Sequence, residues 1–380
     1  MGKSLLATLS LILLWAAPAL PAQTLTEESL RNELSAHAVP LHTAGEALLL
    51  HEAQSHQYFL LGELHGETEI PELLSDLWPS LWQDGYRHVA AEVSPWAATH
   101  LERNVHDDST PVAGLWTRAQ AATVDRFARP QESVLWGCDI EEEQPDRLIR
   151  QAAQLNPDDA NLRQMTALTA NGYKRSQATE LLQLAESDHP AHDADVGGES
   201  LWASTLSTLR VEALRSNPRT RYEASEAREL VMKELFLQHS RQNPDGKVLL
   251  RFGRNHLHRG YDARGISTLG NFVSEWALAQ GRSVVNVGVF AAGGKEHLAG
   301  GTFDADERQD EPTFAFLAGL AGDHATIFDL RELRPMLHTI PAEKRSPLEV
   351  NLIYWADSYD FLLCYPSVSP LMDPAADLRR

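Results

Sequence analysis

Four short, largely apolar runs in this chain each finish on a residue capable of acid–base chemistry, and that repetition narrows the folds open to it. Tyr58–Gly62 runs into Glu63-Leu64-His65-Gly66, and His88–Ala91 into Glu92. Val134–Cys138 runs into Asp139, and Val248–Phe252 into Gly253-Arg254-Asn255-His256. If these runs are strands lying parallel in one sheet, their carboxyl ends open on the same edge, where open α/β sheets bind ligands. Carboxylates and imidazoles from distant segments then meet in one polar pocket.

The segments between the strands support that reading. After a helix-like start (Thr26–Ala36), Ile70, Leu73, Leu74, Leu77, Trp78, Leu81 and Trp82 form one apolar helical face behind the first strand. Pro71 suits its first turn, Gly85 its end, and Pro79 should kink it. Strand 87–92, a polar helical stretch and strand 133–139 complete a βαβαβ opening, which implies a parallel sheet. From about residue 143 to 242 the patterning is helical, as in Trp202, Leu206, Leu209 and Ala213 and again over 226–239. This block reads as an insertion over the carboxyl edge of the sheet. Its loop Ser187–Gly198 reads as mobile and polar, since the acids and imidazoles there fit no EF-hand spacing. Strands resume at 247–253, 283–289, 325–330 and 360–364, with a helix at 268–280 and a Gly- and acid-rich excursion at 293–312. The expected fold class is α/β, a mainly parallel sheet sandwiched by helices. One domain over 23–366 and a tail over 367–380 follow from the same patterning.

Residues 1–22 read as a secretory signal peptide, with Lys3, the apolar run Leu5–Trp15 and small residues at Ala17-Pro18-Ala19 or Leu20-Pro21-Ala22. Export, to the periplasm or the medium, is therefore expected, with no membrane span once the leader is removed. Against 33 basic side chains stand 53 acidic ones, a formal charge of −20, which argues against nucleic acid because that binding rests on Lys and Arg. The expected partner is a small-molecule or peptide substrate. Cys138 and Cys364 both lie in apolar strand-like runs and read as buried thiols.

Among the candidate residues, Glu63 and His65 sit where a strand gives way to a helix, near exposed N–H groups that favour negative charge. Glu92 and Asp139 end apolar strands, where an acid must be paired, protonated or bound to a cation. His256 and His258 follow the fourth strand, and Arg254 and Arg259 beside them could clamp an anion. There is no Gly-x-Ser-x-Gly elbow, P-loop or dinucleotide fingerprint. His51-Glu52-Ala53-Gln54-Ser55-His56 has one residue too many for a zincin, which turns its imidazoles about 140° apart on a helix. Water activation by His or carboxylate is left, with or without a metal.

At these residues the chain resembles the superfamily that groups erythromycin esterases, ChaN-like haem-binding proteins and the Tiki/TraB proteins. Gly62-Glu63-Leu64-His65 resembles the Gly-Glu-x-His of the ChaN branch and the Gly-x-x-His of Tiki, which recurs as Gly253-Arg254-Asn255-His256. The esterases usually place two residues between Glu and His, and this chain has one. Arg228-Glu229-Leu230-Val231-Met232 resembles the esterases' Arg-Asp-x-x-Met helix, Gly137-Cys138-Asp139 their Gly-Phe-Asp, and Asp329-Leu330-Arg331 their Asp-Leu-Arg. Tyr359-Asp360-Phe361 resembles the start of their last strand. The resemblance implies a hydrolase in which His65 activates water, Glu63 and Glu92 orient it, and His256 and Arg228 line the pocket. Asp139, His258 and Arg259 would then contact substrate. Metal dependence stays open: Glu63, His65, Glu92 and His256 would be the ligands for Mn²⁺, Zn²⁺ or Co²⁺. The ChaN branch implies the alternative of haem, with Tyr58, Tyr86 or His258 as axial candidates. A non-catalytic binding scaffold is the third possibility.

Overall fold

The computed structural model describes residues 26–102, 116–129, 132–142, 144–298 and 301–371. The expected leader over residues 1–22 lies outside the described residues. Eight strands among them form one sheet: β1 (Ala38–Pro40), β2 (Tyr58–Glu63), β3 (Tyr86–Ala91), β4 (Leu135–Gly137), β5 (Lys247–Gly253), β6 (Val284–Ala291), β7 (Thr326–Asp329) and β8 (Phe361–Tyr365). Their order across the sheet is β1-β7-β8-β6-β2-β5-β3-β4. Every neighbouring pair from β8 to β4 is parallel. β7 runs antiparallel to both β8 and β1. The chain therefore has the expected α/β class, with one reversed strand near an edge.

Alternation along each strand explains why the central runs look uniformly apolar. Phe59, Leu61 and Leu249 enter the core on one face of the sheet, while Tyr58, Leu60, Val248 and Leu250 enter the core on the other. The helix Glu69–Gln83 covers the first face with Ile70, Leu73, Leu74, Leu77, Trp78 and Leu81, and continues as one helix through Pro79. The helix Arg221–Gln242 covers the second face with Met232, Leu235 and Phe236. Helix, sheet and helix make three layers.

Between β4 and β5 the helices Pro145–Leu155, Ala160–Leu168, Ala178–Ser187, Leu201–Arg215 and Arg221–Gln242 follow one another. Most of the block packs into the first core, and the last of these helices reaches the carboxyl edge with Arg228 and Glu229. The loop 187–198 is tied down, against expectation: Asn156 donates to the His192 carbonyl at 2.6 Å and accepts the His192 N–H at 2.8 Å, and Asp195–Val196 pairs with Glu199–Ser200. Cys138 and Cys364 are separate buried thiols. Four strands lie between β8 and β4, so at roughly 4.8 Å per strand the two lie far beyond disulfide reach.

The excursion 293–312 contains a hairpin, Lys295–Leu298 paired with Gly301–Asp304, that the sequence patterning did not reveal. It docks on the turn after β2, and residues 367–371, expected as part of a tail, dock there too. The Gly66 carbonyl accepts the N–H groups of His297 and Leu371, each at 2.8 Å, and Thr68 donates to the Ser369 carbonyl at 2.9 Å. Gly66 has φ +82, and a Cβ there would stand 2.2 Å from the His297 carbonyl oxygen. Gly66→Ala combines a left-handed backbone with overpacking, so it is expected to cost about 2–4 kcal/mol in chemical denaturation. Stability within ~0.5 kcal/mol of wild type would contradict this docking.

Candidate active site

β2, β5, β3 and β4 are consecutive in the sheet, and they are the four strands whose ends carry the candidate residues. Their ends are level: Glu63 lies opposite Gly253, and Ala91 opposite both Arg251 and Gly137. The site follows from that register.

Glu92, 5% exposed, is the centre. Its Oε2 accepts the Gly253 N–H at 2.6 Å, and its Oε1 accepts from Arg228 Nη2 at 2.8 Å. Two imidazoles flank it. His256 Nε2 lies 3.3 Å from Oε1, and His65 Nε2 lies 3.6 Å from Oε2. Each imidazole has a second carboxylate behind it: Glu229 Oε1 at 2.5 Å from His256 Nδ1, and Glu63 Oε1 at 3.6 Å from His65 Nδ1. The result is an alternating row, Glu63, His65, Glu92, His256, Glu229. Gly253 leaves room for it, because a Cβ there would stand 2.5 Å from His65 Nε2 and displace that ring.

Arginines balance the row. Arg251 Nε donates to Glu63 Oε2 at 2.5 Å, and its guanidinium lies 4.7 Å from the Trp116 ring centroid. Arg228 Nε donates to Asp139 Oδ1 at 3.0 Å, its Nη2 also contacts Asp139 Oδ2, and Glu142 Oε2 lies 2.9 Å from the same Nη2. Burial works against charge on Glu92. Even so, the adjacent His256 and His65, together with Arg228, hold its carboxyl well below the usual carboxylate range. Burial likewise opposes charge on His256, but Glu92 and Glu229 outweigh it and push this imidazole up to about 10. His65 is raised as well, with Glu92 and then Glu63 overcoming its burial. At neutral pH His256 is thus an imidazolium enclosed by two carboxylates. His65, its side chain 29% exposed, is the one that solvent reaches.

Glu63, His65, Glu92, His256, Arg228 and Asp139 come together as the sequence suggests. His258 and Arg259 do not. His258 is 1% exposed, bonded through Nδ1 to Ser358 Oγ at 3.1 Å and enclosed by Tyr354, Trp355 and Tyr359. Burial lowers its pKa to about 3, which keeps it neutral in the core. Arg259 is committed to Asp360 through both guanidinium nitrogens. Arg254 turns to Glu307, with Nη2 to Oε1 at 2.5 Å. With both guanidinium groups committed to Glu307 and Asp360, neither arginine reaches the row as an anion clamp.

Arg251 and Glu229 are functional neighbours that the sequence reasoning missed. A charged residue within Val248-Leu249-Leu250-Arg251-Phe252 was the available signal, since a cation inside a buried strand needs a partner. For Glu229 the available signal was its place at the acid of the Arg228–Met232 motif.

The donor set does not fit a divalent metal. Glu63 and Glu92 already accept from arginines or a backbone N–H, and the two nitrogens of His256 face Glu92 and Glu229. Among the described residues no group of three or more His, Cys, Asp or Glu side chains is disposed to hold a metal ion. The expected haem ligands are spent in the core too: Tyr58 packs edge-on to Phe236, and Tyr86 donates its hydroxyl to the Ala53 carbonyl at 3.1 Å.

No protein-family model matches this chain, and no curated protein is significantly similar to it. Solved structures do match. A protein from Bacillus cereus is 15% identical, with a TM-score of 0.56 over 91% of this chain and 98% of that one. A succinoglycan biosynthesis protein is 14% identical, with a TM-score of 0.59 over the same shares, 91% and 98%. A mutant of erythromycin esterase EreC in its open conformation is 14% identical, with a TM-score of 0.58 over 86% of this chain and 95% of that one. The fold is that of the erythromycin esterase structure. This agrees with the superfamily resemblance read from the strand-end motifs, at the level of fold.

The raised pKa of His256 has a measurable consequence. A group raised in the folded state stabilises fully below its unfolded pKa, here 6.5, and the contribution is lost as pH rises toward about 10. The stability difference between wild type and His256→Gln is therefore expected to be largest below pH 6.5 and to shrink steadily on the alkaline side. Denaturation at a series of pH values checks this, and a difference independent of pH would contradict the buried imidazolium.

Proposed function

We propose that the protein is an exported hydrolase that cleaves an ester, lactone or amide with a water activated at His65. The observation that carries this reading is a partly exposed imidazole held between two buried carboxylates, Glu63 and Glu92, each 3.6 Å from one of its nitrogens. A base so placed can take a proton from water while both neighbours stabilise the imidazolium that forms. The hydroxide equivalent attacks the substrate carbonyl. His256, the imidazolium on the far side of Glu92, keeps that carboxylate charged and in place through the step. On collapse of the tetrahedral intermediate, the proton held by His65 passes to the leaving oxygen or nitrogen, which restores the resting site. Atoms and charge balance over the cycle.

The reading requires no bound metal, in keeping with a donor set already satisfied by Arg228, Arg251 and a backbone amide. Export rests on the sequence of residues 1–22. No helix among the described residues is long and apolar enough to cross a membrane. A small molecule or peptide bearing an acyl bond suits a site at the edge of an α/β sheet.

Hydrolysis of panels of aryl esters, lactones and peptides tests the proposal. His65→Ala is expected to lower kcat by about 10²–10⁴-fold, the range for loss of a general base. Equal turnover by both proteins would dispose of it. Because His65 must be neutral to act and its pKa is raised, kcat/KM is expected to climb with pH along a limb centred above 6.5. An acidic optimum would contradict the assigned role.

A further inference from the structure

Glu229 is 2% exposed and fixed at both oxygens. Oε1 lies 2.5 Å from His256 Nδ1, and Oε2 accepts the Leu269 N–H at 2.8 Å, at the first residue of the helix Leu269–Ala279. That N–H is one of the groups a helix leaves without an internal partner, so the carboxylate is both anchored and electrostatically favoured there. The preceding residue, Arg228, grips Glu92 from the same helix. Two adjacent side chains of one helix therefore hold the Glu92–His256 pair.

Glu92 serves two imidazoles, and this creates a demand that Glu229 meets. When His65 takes a proton from water, Glu92 is drawn electrostatically to the new cation. His256 then loses part of its counter-charge at Nε2. On the hydrolytic reading above, we propose that Glu229 is a positioning residue: it fixes the His256 ring through Nδ1 and supplies its counter-charge, so that Nε2–H stays aimed at Glu92 and holds that carboxylate in place beside His65. Glu229 contacts no reacting atom and acts through His256 alone.

Glu229→Gln tests this, because it keeps the side chain's volume and an acceptor for the Leu269 N–H while removing the charge. With 4-nitrophenyl butyrate as the ester probe and the full-length protein, kcat is expected to fall about 100-fold, the cost of roughly 1 Å of misplacement, with KM within about twofold. In histidine-labelled protein the far-downfield Nδ1 proton of His256 is expected in wild type and lost in Glu229→Gln. Glu229→Asp returns the charge on a shorter arm, and partial recovery of kcat is the expected result. Wild-type kcat in Glu229→Gln, or an unchanged Nδ1 resonance, overturns the positioning role. If wild type shows no turnover, the hydrolytic reading fails, and the Nδ1 resonance alone decides whether Glu229 holds the ring.

Discussion

The arrangement depends on one buried carboxylate. Glu92 follows a strand whose last residues, Val89, Ala90 and Ala91, are fully buried, and a lone charge there would be too costly to keep. It persists because four groups converge on it: the Gly253 amide and Arg228 donate to it, and the imidazoles of His256 and His65 lie 3.3 and 3.6 Å away. Those groups come from three other segments, so satisfying one oxygen pair fixes the relative positions of the β2 turn, the end of β5 and the helix Arg221–Gln242. Substituting an apolar residue for Glu92 would leave two imidazoles and an arginine facing each other with one counter-charge fewer.

Much of this was legible in the sequence because strands impose a simple rule. An acid at the end of an apolar run has no packing role, and parallel strands bring such ends together. Glu63, Glu92, Asp139 and His256 were found on that basis, and the sheet order puts their four strands side by side. The helix Glu69–Gln83 was legible for the equivalent reason, a continuous apolar face at helical spacing.

What the sequence concealed has physical causes. β1 has three residues, too few to show periodicity, and β7 pairs antiparallel through contacts that no local pattern encodes. The hairpin strands 295–298 and 301–304 contain no buried residue and so lack an apolar face. His258 and Arg259 follow His256 closely in sequence, but two residues beyond His256 the side chain faces Tyr354, Trp355 and Tyr359 in the core. Proximity in sequence at a strand end carries one or two residues into a site and no further.

One carboxylate is shared by two imidazoles in different surroundings. His256 is enclosed and strongly held by Glu229, which keeps it charged, whereas His65 has longer contacts and partial exposure. The most direct test is a histidine-resolved NMR titration of Glu92→Gln beside wild type. If one carboxylate governs both rings, the pKa values of His65 and His256 fall together in the variant. A fall in one with the other unchanged would contradict the shared-carboxylate arrangement.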